Sequence, residues 1–311
     1  MTAPCVHDNA AFASATPVVS VLIPFLRDDP SALLEQLAAE AEGLNGAVEV
    51  IVMDDGTGDE ALTQRLQGLI NGLPLPIRLI SLPINEGRAR GRNRLTTNAR
   101  AGTFLFLDSD MQPDSDAFLQ DWATLARDSA PAVAFGGFSL DAAPRDPRFA
   151  VHRALSLQSE CVPAAERSKQ PEKYVYTSNL LVRRDVFEAE RFDPGFTGWG
   201  WEDVEWAMRV SRRFPIVHVD NPATHMGLDT VDALARKFEQ GAPNFARVVA
   251  LHPQLATAYP SYKAARLIRK LPVRSLLRAG LKTIAKAPLW PVAMRAFALR
   301  LYRTALYAEA I

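Results

Sequence analysis

The sequence predicts an α/β fold built on a mostly parallel, doubly wound sheet. Over the first 110 residues, short β-branched runs alternate with segments of helical period, the pattern of strand–helix–strand units with right-handed crossovers. The connections between them are short, as neighbouring units of one sheet require. Three of the strand-like runs end in charged residues, at Arg27-Asp28-Asp29, Asp54-Asp55 and Asp108-Ser109-Asp110. The carboxyl ends of neighbouring parallel strands converge, so these groups are expected to share one crevice.

The first strand is Val18 to Phe25, β-branched and apolar up to Pro24. Ser31 is a fitting N-cap for a helix over Ser31 to Leu44. Val48 to Met53 is the next strand and runs into Asp54-Asp55-Gly56. Glu60 to Ile70 is helical, and a Pro/Gly-rich turn leads to a strand at Ile77 to Leu82. Glu86 to Ala101, rich in Arg and Ala, is the helix before the strand Thr103 to Leu107. After Ala132 to Phe138 the periodicity fades, and Asp141 to Lys173, with its prolines and charges, is expected to hold a mobile loop over the crevice. Order returns with Tyr174 to Val182, an amphipathic helix over Val204 to Arg213 and a strand at Ile216 to Val219.

Composition narrows the class. A chain of 311 residues has room for about two domains, and 48% apolar with 23% charged residues suits a globular protein. The two cysteines, Cys5 and Cys161, imply neither a disulfide framework nor a metal knuckle, which points to the reducing cytoplasm. Met1 to Pro17 lacks the basic and apolar halves of a secretory leader and reads as a disordered tail. No run of 18 apolar residues suits a membrane span. Neither Gly-x-Gly-x-x-Gly after the first strand nor a P-loop occurs, which argues against dinucleotide binding and P-loop hydrolysis.

Two constellations carry chemistry. Thr103 to Leu107 drives an apolar strand straight into Asp108-Ser109-Asp110. Carboxylates so close repel unless a cation lies between them, and Mg²⁺ takes one or two carboxylates with phosphate oxygens completing its shell. The plainer reading of Asp-Ser-Asp is a turn. Downstream, Gly198-Trp199-Gly200-Trp201 precedes Glu202-Asp203 at the start of a helix. The helix dipole alone favours acids there. Two tryptophans about Gly200, however, form an aromatic wall suited to a sugar ring, beside which a carboxylate can act as general base on a hydroxyl. His218 and Trp206 read as core residues, and Arg88 and Arg90 as the solvated face of their helix.

With these pieces in order, the chain resembles glycosyltransferases of family 2, whose nucleotide-sugar-binding fold is called GT-A. The resemblance rests on Val19 to Pro24 (VSVLIP), Val50 to Asp59 (VIVMDDGTGD), Asn85 to Asn93 (NEGRARGRN) and Asp108-Ser109-Asp110. Gly198 to Asp203 (GWGWED) resembles the acceptor-side motif of galactosyl- and N-acetylgalactosaminyltransferases. Together they span roughly Val18 to Gly227. The resemblance implies an inverting, metal-dependent transfer from a UDP-sugar to a glycan or lipid-linked acceptor, in bacterial surface polysaccharide synthesis. Asp54 or Asp55 would bind uracil, with Pro24 beside the nucleotide. Arg92 and Asn93 would face the diphosphate and ribose, and Asp108 the ribose or sugar. Asp110 would ligate Mn²⁺ or Mg²⁺, with His225 a further ligand. Asp203 would be the general base and Glu202 would orient sugar hydroxyls, with Asn179, Trp199 and Trp201 among the substrate contacts. The sequence departs from the pattern in Thr57, where Ser is commoner, and in Phe25-Leu26-Arg27, where Thr-Tyr-Asn is usual. A nucleotidyltransferase would share the Asp-x-Asp logic without needing the Trp-rich motif. A non-catalytic carbohydrate-binding homologue would need neither Asp110 nor Asp203.

A formal net charge of zero conceals an asymmetry. Gln240 to Ile311 holds twelve Lys or Arg and one acid, Glu309, so a tail of +11 follows a body of −11. The expected divisions are a disordered tail over residues 1–17, an α/β domain over 18–239 and a basic helical extension over 240–311. Tyr262 to Leu271, Val273 to Ala287 and Val292 to Tyr307 mix aliphatic and aromatic residues with spaced cations. That pattern suits helices at an anionic membrane surface, peripheral on the inner face of the cell membrane. The alternative is packing on the acidic body. So apolar an extension does not suit nucleic acid.

Overall fold

A computed structural model describes residues 3–257 and 259–311. Its strands are β1 (Cys5–Asp8), β2 (Val19–Phe25), β3 (Val48–Asp54), β4 (Ile77–Ser81), β5 (Thr103–Leu107), β6 (Met111–Pro113), β7 (Val133–Phe135), β8 (Phe138–Ser139), β9 (Asn179–Arg183), β10 (Ile216–His218) and β11 (Ala223–His225). Eight form one sheet in the order β1-β4-β3-β2-β5-β9-β7-β10, and β6-β11-β8 form a small second sheet. β2 to β5 are parallel, the doubly wound centre that the alternating pattern predicts. β1 is antiparallel to β4, and β9 to both β5 and β7. With β3 on one side of β2 and β5 on the other, the winding reverses there, and the crevice opens beyond the carboxyl ends.

The apolar strands follow from a sheet covered on both faces. Val21, Ile23, Val50, Val52, Leu105 and Leu107 face one apolar layer, while Leu22, Ile51, Met53, Phe104 and Phe106 face the other. Leu105 is fully buried, and Leu105→Ala would cost about 2–5 kcal/mol. Pro24 has no N–H to give a ladder. It lies past Leu22↔Phe106, the last β2–β5 pair, so no bond to β5 is lost.

Several expectations need correction. Residues 1–17 are not a disordered tail over their described part: β1 pairs with β4, and Ala10–Ser14 is helical. Met1 and Thr2 lie outside the described residues. The anchors are Asn9, whose side chain donates to the carbonyls of Ile70, Leu73 and Leu75, and Phe12, which lies under the guanidinium groups of Arg78 and Arg100 at 4.5 and 4.0 Å. The single helix over Ser31 to Leu44 is two, Ser31–Ala38 and Ala41–Leu44. The Arg-rich helix is Arg88–Asn98, cut short by Gly87 at φ 83° and by extended Ala99. Asp141 to Lys173, expected to hold a loop over the crevice, also holds the helix Ala150–Ser159 and three shorter turns. Val151, Ala154 and Leu155 of that helix have an apolar layer to pack on.

The boundary at 239/240 falls inside the helix Val231–Leu251, because charge changes sign there while the apolar stripe continues. Beyond it, Arg274–Lys286 and Val292–Ala310 pack on that helix, and Pro260–Ile268 packs on Val292–Ala310. Phe238, Phe245, Leu299 and Tyr302 make the shared core with Val151. The extension therefore packs on the body, as one reading of its charge required. Among the described residues, no helix is long and apolar enough to cross a membrane.

Candidate active site

A cleft of about 430 Å³ lies beyond the ends of β2, β3 and β5, lined by Pro24, Asp28, Asp55, Arg88, Arg92, Asp108, Asp110, Trp199, Lys237 and Gln240 among others. The pleat of β3 separates its two terminal acids. Asp55 enters the cleft, and its carboxylate accepts from the amides of Glu86 and Gly87 at 2.8 and 3.0 Å. These amides precede the helix Arg88–Asn98, whose dipole favours an anion at that end. Burial nevertheless pushes the Asp55 carboxyl above its ordinary value, against those hydrogen bonds. Asp54 turns away and accepts from the amide of Thr57 at 2.8 Å. It fixes the turn and does not line the cleft. Gly56, at φ 83°, lets the loops after β3 and β4 touch, since a Cβ there would stand 2.4 Å from the Asn85 nitrogen.

Asp110 meets His225, delivered by β11, with Oδ2 3.2 Å from Nε2. Burial alone would raise the Asp110 carboxyl, yet the His225 hydrogen bond and charge hold it below its ordinary value. Burial of His225 opposes protonation, but Asp110 outweighs it and raises the imidazole. Gly227 leaves Asp110 its space, because a Cβ there would come within 2.0 Å of Oδ2. Asp28 stands near both acids of the Asp-Ser-Asp turn, its carboxyl raised by burial and then by the charge of Asp110. No group of three or more His, Cys, Asp or Glu suited to a metal occurs among the described residues. A cleft carboxylate with an imidazole against it still fits Mn²⁺ or Mg²⁺ when ligand oxygens complete the shell.

The second wall is a ladder of alternating charge. Arg92 Nη2 is 2.5 Å from Asp108 Oδ1, and Arg88 bridges Asp108 at 3.7 Å and Glu202 at 2.8 Å. Arg92 also lies 3.8 Å from Glu202, and its buried Nε has no hydrogen-bond partner among the described residues. Burial would raise the Glu202 carboxyl, but Arg88 and Arg92 pull it below its ordinary value. Its neighbour Asp203 goes the other way, pushed up to about 7 by burial and by the charge of Glu202. Neither acid lines the cleft itself; Glu202 is joined to Asp108 on its wall through Arg88. Arg88 is thus no solvated bystander.

Trp199 lines the cleft. Trp201 does not: its ring packs on Phe245 at 4.9 Å, and Nε1 donates to the Tyr307 hydroxyl at 3.1 Å. Trp201 sits at φ 76°, a region costly for a bulky residue, and Asn244 steadies the loop through the carbonyls of Thr197 and Gly200. Asn93 likewise turns from the cleft to clamp Phe192, donating to its carbonyl at 2.9 Å and accepting from its amide at 3.2 Å. Asn179 is fully buried and donates to the carbonyls of Gly137 and Asn221. Asn93, Asn179, Trp201 and Asp54 are therefore supports in this structure rather than cleft contacts. Trp206 is core as expected, and His218 is a partly buried support, its Nδ1 accepting from Arg167. Sequence reasoning did not single out Lys237 and Gln240, one helical turn apart and well beyond the motifs.

A family model described as glycosyl transferase family 2 matches residues 20–190, more than half of the chain. No curated protein matches the sequence. Among solved structures, a mannosyltransferase from Pyrobaculum calidifontis in complex with GDP-Man and Mn²⁺ is similar at TM-score 0.61 and 16% identity, over 97% of this chain and 89% of that one. GalNAc-T7 with UDP, GalNAc and Mn²⁺ gives 0.56 and 17%, over 83% of this chain and 52% of that one. TarS residues 1–349 from S. aureus gives 0.51 and 15%, over 94% and 89%. The fold is the GT-A arrangement that the motifs implied.

Proposed function

The chain belongs to glycosyl transferase family 2, and from that premise we propose that it moves a sugar from a UDP-sugar to a hydroxyl of a glycan or lipid-linked acceptor, with inversion. The observation that carries the reading is a cleft lined by Asp55, Asp110 and Arg88, with His225 held against Asp110 and the Glu202–Asp203 pair joined to its wall through Arg88. The base would lie against Asp55, with Pro24 beside it. Arg88 and Arg92 would receive the diphosphate, and Trp199 would offer its ring to a sugar. Asp110 and His225 would hold a divalent cation, which would supply Lewis-acid neutralisation of charge on the departing diphosphate.

Asp203 accepts the proton of the acceptor hydroxyl as that oxygen bonds to the anomeric carbon. The bond from carbon to diphosphate oxygen breaks, UDP leaves, and attack from the opposite face inverts the centre. A carboxyl with its pKa near 7 is well matched to this task at neutral pH. Bacterial surface polysaccharide is the product class this reading favours, made on the inner face of the cell membrane. The test is donor-dependent nucleotide release with a panel of UDP- and GDP-sugars, each with Mn²⁺ and with EDTA. UDP release that EDTA abolishes is expected. Turnover of GDP-sugars alone, or turnover indifferent to EDTA, refutes the donor or the metal assignment respectively.

A further inference from the structure

The outer face of the extension has no covering among the described residues. Among the described residues, Arg278 pairs with Glu309 inside the extension, while Lys282 and Lys286 pair with Glu239 and Asp232 of the helix Val231–Leu251. No acid occurs between residues 260 and 308, while Lys263, Arg266, Arg269 and Lys270 stand exposed on the first of its helices and the turn after it. Lys263, Arg266, Leu267 and Lys270 recur at i, i+3, i+4 and i+7, so they share a face. Large apolar side chains are exposed along the extension: Leu267 (69%) beside these cations, then Leu276 (71%), Leu289 (87%) and Phe297 (62%), with Trp290 next to Leu289 in sequence. Leu276 lies in the first turn of the 13-residue helix Arg274–Lys286, about 20 Å long, and Leu289 just past its end. Exposed apolar side chains thus occur on each helix of the extension and on the turn between the last two.

We propose that this face docks on an anionic lipid bilayer, the aliphatic and aromatic side chains entering the headgroup boundary and the cations pairing with lipid phosphates. The chemistry selects this occupant. A second copy would bring equal positive charge against it. A polyanion without an apolar phase would leave Leu289 and Phe297 in water. Amphipathic helices rich in Lys and Arg, with Trp, Phe and Leu on the other side, suit a lipid interface. The inner side of the same helices holds Trp201, through Tyr307, beside Glu202–Asp203. Docking would therefore bring the acid pair close to a lipid-linked acceptor. Binding to the bilayer needs no turnover, so it stands or falls apart from the proposed chemistry.

The test is co-sedimentation of the full chain with phosphatidylglycerol vesicles and with phosphatidylcholine vesicles at low salt, with Trp emission followed in parallel. Partition to the anionic vesicles is expected, weakened at high salt. Lys263→Gln with Lys270→Gln should weaken it roughly thirtyfold, from the usual contribution of each cation at such a surface. Leu289→Ser with Phe297→Ser should also weaken it; both are solvent-facing changes that leave the thermal midpoint in place. Equal binding to both vesicle types, no binding at low salt, or unchanged binding by either double variant would overturn the proposal. So would a stable dimer that Leu289→Ser with Phe297→Ser dissociates.

Discussion

Replacing Asp203 by Asn tests the chemistry and the electrostatics in a single substitution. Lifting this carboxyl from 3.8 to about 7 corresponds to at most about 4 kcal/mol of unfavourable free energy in the folded state above pH 7. The sign follows from proton uptake. Between the two values the folded chain holds a proton that the unfolded chain releases, so stability falls as pH rises from about 4 to about 7. Asparagine cannot ionise, so Asp203→Asn should raise the thermal midpoint at pH 8 and leave it little changed at pH 4. Catalysis should move the opposite way, with kcat/KM falling about 10²–10⁴-fold at pH 8, as removal of a general base requires. The wild-type protein should lose about tenfold in kcat/KM for each pH unit below 7, an acid limb that the variant lacks. The assay is nucleotide release over pH 5–9 with thermal melts at matched pH. Retained activity within about threefold, or an acid limb that survives in the variant, would refute the assignment.

Other outcomes follow from the same geometry. Gly227→Ala puts a methyl against Asp110 Oδ2 and should raise the Mn²⁺ concentration needed for half-maximal activity about tenfold or more, as loss of a well-placed metal ligand does; an unchanged Mn²⁺ titration counts against Asp110 as ligand. Tyr307→Ala removes a ring stacked on Phe245 at 4.1 Å and the partner of the Trp201 indole. It should cost about 3–5 kcal/mol and lower kcat more than donor affinity, read by denaturant melts beside nucleotide-binding titration.

The parallel sheet was legible because buried strands and amphipathic helices impose different periods, and Val19 to Leu107 obeys both. The acids at strand ends were legible for a related reason: charge directly after a buried strand must surface, and β2, β3 and β5 surface together. What stayed hidden depended on direction rather than composition. Asp54 and Asp55 are the same residue type in adjacent positions, and the pleat alone sends one into the cleft. Asn93 and Trp201 sit inside motifs that point to a ligand, yet tertiary partners a hundred residues away, Phe192 and Tyr307, claim their polar atoms. The ordered N-terminus was missed because its pairing with β4 rests on Asn9 and Phe12, single residues without periodicity.

The role of Arg88 shows how such a site can be stable before any ligand arrives. Asp108, Glu202 and Asp203 would repel one another across a half-buried space, and desolvation would add to the cost. Arg88 and Arg92, placed on one face of the helix Arg88–Asn98 by their i, i+4 spacing, interleave two cations among three anions. Charge balance is incomplete, and the deficit falls on Asp203, the carboxyl with no Arg at contact distance among the described residues. The residue left over by the pairing is therefore the one whose proton affinity rises. The same array holds Glu202 firmly ionised, so two adjacent acids on one helical turn are driven to different protonation at neutral pH. In the proposed reaction that division would give Glu202 a structural charge and leave Asp203 the exchangeable proton, which a base must shed before each cycle and regain from the acceptor within it.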